Sequence, residues 1–311
     1  MGDRILVAGC GAVGSVFAGL LAGFGCDVHV LGRGAHLDAI ADAGVRIDGI
    51  WGDHFGRPAA AVTDAERLDG GFDAILIACK SFHTGPLARQ VGAQRLADGG
   101  AVISLQNGLG NWERLTEIFG AEAVLAARVI FGAEVVAPGT VRVTVEAEPV
   151  LVGHPCGETA SALRWAEVFR LAGIRALATD SILAALWGKV FYNAALNPMG
   201  ALLGLRYGEL AADPLRRSVM DRVISEAFAV ATAEGVSMPW SEAAQYLSHF
   251  YGKLVPATAG HRSSMLQDLE RGRPTEIDAI CGEICRRADI AGIDAAANRV
   301  LFALLRGGGA P

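Results

Sequence analysis

The chain begins with short apolar runs that alternate with longer stretches of mixed apolar and small residues. Residues 4–9, "RILVAG", are an apolar run ending in glycine, the pattern of a strand buried on both faces. Residues 12–25 are apolar all round with small residues interspersed, which predicts a helix pressed on a sheet. Residues 27–33, 72–80 and 100–108 predict further strands, the last two ending in polar residues, with a helical pattern at 84–97 between them. Strands alternating with helices predict a parallel, doubly wound sheet. Residues 123–153 are rich in Val, and "APGT" marks a turn, so added strands and a hairpin should close this region.

The texture changes near Asp180. Residues from Ile182 onward read as helix, with Asp180 or Ser181 as N-cap. Helical patterns follow at 213–235, 240–254 and 274–306, the last opening on Pro274 with Thr275 as a cap. The tail "RGGGAP" should fray. The expected fold class is α/β: a Rossmann-type N-terminal domain over residues 1–179 and an all-helical domain over 180–311. Ligands commonly sit in a cleft between such domains.

Composition narrows the function classes. The chain of 311 residues is 52% apolar and 19% charged, enough for a sizeable core. A formal charge of −6 argues against nucleic acid as a partner, since no cationic excess exists to neutralise phosphates. Six cysteines are scattered without a CxxC pair, and read as small buried hydrophobes in a reducing compartment, with no metal site. Residues 5–26 are uncharged and long enough to span a bilayer, but the glycines at 9, 11 and 14 fit a nucleotide-binding turn better. The expectation is a cytoplasmic protein with no membrane partner. An apolar helical domain is compatible with a homodimer.

That turn, "GCGAVG", has the GxGxxG spacing. Gly9 permits the tight turn, Gly11 lets backbone approach a pyrophosphate, and Gly14 allows close helix–strand packing. Cys10, Ala12 and Val13 complete the loop and the helix N-terminus, whose N–H groups favour an anion. The second strand bears on the choice of cofactor. NAD enzymes usually place an acid near its end for the ribose hydroxyls. No acid lies between Asp27 and Asp38 here, and Arg33 stands where a 2′-phosphate would lie. A guanidinium suits that phosphate, so NADPH/NADP is the expected cofactor.

The last feature is "WGKVFYNAALNP", which spaces Lys189, Asn193 and Asn197 four apart. Each step of four advances about 400° on a helix, so the three form one row. A solvated stripe would carry several charges over a wide arc, whereas this helix has one charge among apolar neighbours. Buried amides without partners cost about 1–3 kcal/mol each, so such a row should face a polar ligand. A partly desolvated lysine has its pKa lowered toward neutrality and can act as a general acid. Two amides can hold hydroxyl and carboxylate oxygens. The set suits carbonyl reduction.

Together with "CK" at 79–80, "LQNGLGN" at 105–111 and "HRSSMLQDLERGRPTEID" at 261–278, these motifs resemble the ketopantoate reductase family along almost the whole chain. The resemblance implies NADPH-dependent reduction of a small 2-keto acid, 2-dehydropantoate, to pantoate for coenzyme A synthesis. It implies Lys189 as general acid and Asn193 and Asn197 as substrate-binding amides. Ser263 and Ser264 would bind the substrate carboxylate. Glu276 would lie at the cofactor–substrate end of the cleft. Asn107 and Lys80 would contact ligand at strand ends, and Asp268 would hold the serine loop. Two positions depart from the family: Tyr207, where an Asn often reaches substrate, and His261, where some members have Asn. They leave open a related enzyme acting on another 2-oxo or 3-oxo acid. A non-catalytic NADPH sensor would need the glycines but not the Lys–Asn–Asn row.

Overall fold

The computed structural model describes residues 2–157 and 160–307, so most of the glycine tail lies outside the described residues. The chain forms two compact units, residues up to Gln106 with Asn111–Ile182, and Asn107–Gly110 with the residues from Leu183 onward. Thus four loop residues of the N-terminal half belong to the helical unit.

The first unit is built on strands β1 (Arg4–Ala8), β2 (Asp27–Leu31), β3 (Val45–Gly49), β4 (His54–Gly56), β5 (Ala60–Val62), β6 (Phe72–Ile77), β7 (Leu96–Ser104), β8 (Val124–Arg128), β9 (Phe131–Ala137), β10 (Thr140–Glu146), β11 (Val150–Gly153) and β12 (Ala176–Ala178). Its helices are α1 (Ala12–Phe24), α2 (Ala35–Ala43), α3 (Thr84–Val91), α4 (Asn111–Phe119) and α5 (Ala160–Leu171). The main sheet runs β12-β11-β8-β7-β6-β1-β2-β5. From β5 to β8 all pairs are parallel. That segment has the strand order of a Rossmann sheet, and its direction reverses between β1 and β6.

Alternation fixes the two faces. Ile5, Val7, Ala74 and Leu76 point to one side, where Phe17 of α1 meets Phe169 of α5 edge-on at 5.0 Å. Leu6, Ala8, Ile75 and Ile77 point to the other, against Val91 of α3 and Leu115 of α4. Each fully buried Leu or Phe side chain contributes about 1.5–3 kcal/mol, so Phe169→Ala would cost this layer about 3–5 kcal/mol.

The predicted strands at 27–33, 72–80 and 100–108 overran. β2 and β6 stop at Leu31 and Ile77, and β7 starts earlier, at Leu96. The hairpin expected at "APGT" joins β9 to β10. It sits in a second sheet, β4-β3-β10-β9, that the sequence reading missed because β3 and β4 are short and interrupted by glycines. Residues 5–26 are not a membrane span but a strand, a turn and the 13-residue helix α1. Among the described residues no helix is long and apolar enough to cross a membrane. Cys10, Cys281 and Cys285 are buried as expected, but Cys156 is exposed.

The second unit contains α6 (Ile182–Leu203), α7 (Tyr207–Ala211), α8 (Pro214–Ala233), α9 (Ala243–His249), α10 (Val255–Ala257), α11 (Ser264–Glu270), α12 (Cys281–Ala291) and α13 (Ala296–Leu305). A π-helical turn, Phe250–Leu254, joins α9 to α10. Phe191 of α6 packs on Phe228 of α8 and Tyr246 of α9 at 5.6 and 5.1 Å. The buried Glu226 of α8 caps α13, accepting from the backbone N–H of Ala297 and Asn298 at 3.1 Å each. The single helix expected over 274–306 does not form. Residues 274–276 are loop, Ile277–Ala279 is one 3₁₀ turn, and Ile280 breaks the backbone before α12.

Candidate active site

The predicted site residues divide between the units: Gly9–Gly14, Arg33 and Lys80 lie in the first, the others in the second. In the first unit, each glycine of the turn has its own reason. Gly9 has φ +107°, and a Cβ there would come within 2.5 Å of the Cys79 nitrogen, at the neighbouring strand's end. A Cβ on Gly14 would lie 2.0 Å from the Gly9 carbonyl oxygen. Gly11 is different: a Cβ there would meet nothing within 4 Å. Packing does not demand glycine at 11, and the space beside it is open.

α1 starts at Ala12, and the first turn closes with the Ser15 N–H donating to the Gly11 carbonyl at 2.9 Å. No side chain caps α1, and no acid sits in its first turn. The leading N–H groups and the positive end of the helix are therefore available to an anion. This cradle lies at the reversal point of the sheet, where ligands of such folds bind. It fits a dinucleotide pyrophosphate. Arg33 is exposed two residues past β2, its Nη2 3.2 Å from Nε2 of His83. Burial, and then the Arg33 charge, lower the His83 pKa. The neutral ring can accept from Arg33, which keeps the guanidinium near the end of β2.

Lys80 follows β6, half-buried, at the start of the turn Ser81–His83. The loops after β6 and β7 are tied by a buried network that the sequence reading missed. Gln106 Nε2 donates to the Cys79 carbonyl at 2.9 Å and to Thr84 Oγ1 at 2.7 Å. Thr84 Oγ1 lies 2.9 Å from Asn111 Oδ1. Gln106 and Asn111 were visible in "LQNGLGN", but only the fold brings Thr84 between them.

In the second unit, Asn193 and Asn197 are 7% and 5% exposed, and Lys189 is half-buried. The row is not a solvated stripe. Lys189 Nζ donates to Asn107 Oδ1 at 2.5 Å. The Asn107 segment is fixed where the Leu109 N–H donates to the Ala279 carbonyl at 2.8 Å, and a Cβ on Gly108 would strike that oxygen at 2.4 Å. Glu276, buried, lies three residues before Ala279, ahead of a 3₁₀ turn rather than opening a helix. Lys189, Asn107 and the Glu276 turn are thus held in one framework.

The Asn193 amide has no hydrogen-bond partner among the described residues, a cost that a polar ligand would relieve. Asn197 Oδ1 accepts from the buried Tyr207 hydroxyl at 2.6 Å. Pro198 does not end α6, which runs on to Leu203. Ser263 is fully buried and its hydroxyl is engaged twice: it accepts from the Leu266 N–H at 3.0 Å as the N-cap of α11, and donates to the Asn197 carbonyl at 3.3 Å. Of the two serines, Ser264 is the exposed one. Asp268 is buried in α11, behind that loop. His261 stacks on Tyr207 at 5.1 Å, and burial lowers its pKa.

Two family models match the chain: ketopantoate reductase PanE/ApbA over residues 5–155, and ketopantoate reductase PanE/ApbA C terminal over residues 181–308. The 2-dehydropantoate 2-reductase of Aquifex aeolicus is 33% identical over 97% of this chain and 96% of its own. The crystal structure of a PanE/ApbA family ketopantoate reductase from Ralstonia eutropha JMP134 superposes with TM-score 0.87 at 33% identity, covering 98% of each chain. A D-mandelate dehydrogenase solved with NADH and anilino(oxo)acetate shares the fold, with TM-score 0.86 at 22% identity over 98% of each chain.

Proposed function

The chain belongs to the ketopantoate reductase family, and on that premise we propose that it reduces 2-dehydropantoate to pantoate with NADPH, a step toward pantothenate and coenzyme A. The coarser statement, an oxidoreductase using a nicotinamide cofactor on a small keto acid, follows from the family. The observation that carries the finer reading is the lysine–amide row. It is one charged and two amide groups on a buried helix, with the amine held by Asn107 and one amide lacking a protein partner.

Bound NADPH would supply the hydride to the ketone carbon. The Gly9–Gly14 turn and the first N–H groups of α1 would hold its pyrophosphate, and Arg33 its 2′-phosphate. Lys189 gives its proton to the ketone oxygen as charge develops there, and the Asn107 contact aims the amine. Asn193 and Asn197 hold the substrate's oxygens, with Ser264 at its carboxylate. Glu276 orients hydroxyl groups at the cofactor end.

The test is NADPH consumption with ketopantoate, against analogues lacking the hydroxyl or the gem-dimethyl group. Ketopantoate should give the highest kcat/KM. A better substrate among other 2-oxo acids would replace the substrate assignment while keeping the reaction. The Tyr207–Asn197 bond favours that second reading, because it alters an amide expected to touch substrate.

A further inference from the structure

Asparagine has one acceptor oxygen and two N–H donors on its amide. At Asn197 the oxygen is spent inside the protein, on the phenol of Tyr207 at 2.6 Å. No described residue takes the amide nitrogen, although Asn197 is 5% exposed. Tyr207 itself is 2% exposed and tightly set. Its backbone N–H donates to the His261 carbonyl at 3.2 Å, and the next N–H, of Gly208, to Ala259 at 2.9 Å. Glu209 closes the turn by accepting from the Arg206 N–H at 2.7 Å. The ring lies edge-on to Tyr192 at 5.7 Å and against His261 at 5.1 Å.

Nothing nearby offers the phenol a different role. Tyr192 is turned away, its hydroxyl on Thr258 Oγ1 at 2.6 Å, and Thr258 in turn donates to the Leu254 carbonyl at 2.8 Å. Burial, and then Tyr192, push the Tyr207 hydroxyl well above the usual phenol range, so it stays protonated and donates.

We propose that Tyr207 is a specificity-determining positioning residue: its hydroxyl locks the Asn197 amide so that only N–H donors face the substrate. The subsite then accepts a carboxylate, carbonyl or ether-like oxygen, and cannot accept a hydrogen bond from a substrate hydroxyl. This rests on the reading that Asn197 touches the keto acid. It goes further in stating which chemistry Asn197 reads, and in giving this chain a weaker preference for the hydroxylated acid than an unlocked amide would have.

The experiment compares ketopantoate with the same acid lacking its hydroxyl, at saturating NADPH, in wild type and three variants. In Tyr207→Phe the freed oxygen can accept from the substrate hydroxyl. The ratio of kcat/KM should move about tenfold toward the hydroxylated acid, one hydrogen bond's worth, mostly through KM. Loss of packing alone would lower both acids equally, and that result would overturn the proposal. Asn197→Asp retains an acceptor for Tyr207 but removes the donors, so KM should rise at least about tenfold for both acids. An unchanged KM there would overturn the proposal even if Tyr207→Phe failed to fold. Asn197→Ala separates the two levels. If it leaves both acids unaffected, Asn197 does not touch substrate and the underlying reading fails. If it raises KM while the Tyr207→Phe ratio stays at the wild-type value, only the lock is wrong.

Discussion

Replacing Lys189 with Met keeps the apolar stem and deletes the ammonium. Two quantities then change by different amounts. The lost contact is a charge-assisted hydrogen bond to Asn107 at 2.5 Å. Such bonds contribute about 1.5–3 kcal/mol, and a half-buried lysine regains part of that in water. The Asn107 segment also keeps its Leu109–Ala279 bond, so stability should fall by about 1 kcal/mol or less. Turnover should fall far more. General acid catalysis contributes at least about a hundredfold, or about 2.7 kcal/mol in the barrier. Single-turnover oxidation of NADPH by ketopantoate measures the chemical step, and fluorescence titration measures cofactor affinity, expected within about twofold of wild type. Lys189→Arg sharpens the test. Arginine can still donate to Asn107, but it does not give up a proton at working pH, so it should restore stability and not rate. A Met variant within about tenfold of wild-type turnover, or an Arg variant that recovers it, would refute the proton-donor role.

Gly11→Ala should leave thermal stability nearly unchanged, since a Cβ there meets nothing within 4 Å, yet weaken cofactor binding; equal affinity would remove the pyrophosphate from that space. Gly14→Ala should instead disrupt the turn, because its Cβ would lie 2.0 Å from the Gly9 carbonyl oxygen, and a falling melting temperature would report it. Arg33→Ala should weaken NADPH more than NADH in direct titrations, and an equal loss for both would dismiss the 2′-phosphate assignment. Glu226 gives a pH effect. Burial raises its pKa, but the hydrogen bonds from Asn298, Ala297 and Arg222 outweigh it and hold the carboxyl below its ordinary value. Its stabilisation is therefore complete above the unfolded carboxylate pKa of about 4.3 and is lost as pH falls through the lower folded value. Glu226→Gln should cost about 1–3 kcal/mol at neutral pH in urea unfolding and flatten the acid limb of the stability curve.

The sequence by itself determined the parts whose cause is local. The apolar runs ending at Gly9 and near Lys80, the GxGxxG spacing and the missing acid before Asp38 fixed a parallel sheet and its glycine turn, because strand burial and backbone sterics act over a few residues. The spacing of Lys189, Asn193 and Asn197 put them in one row, because a helix has one pitch. What needed tertiary structure were the partnerships between distant segments. Residues 107–110 belong with the helical unit because Ala279, far along the chain, accepts from Leu109 and leaves no room beside Gly108. Glu276 lies in a loop because Ile280 departs from helical geometry, which a helix-like pattern over 274–306 did not reveal. Ser263 turned inward because α11 needed a cap. Tyr207 reached Asn197 only because α7 folds back on α6, and pattern cannot supply that distance: hydrogen bonds are decided by ångströms, whereas hydrophobic periodicity fixes only which face of an element is buried.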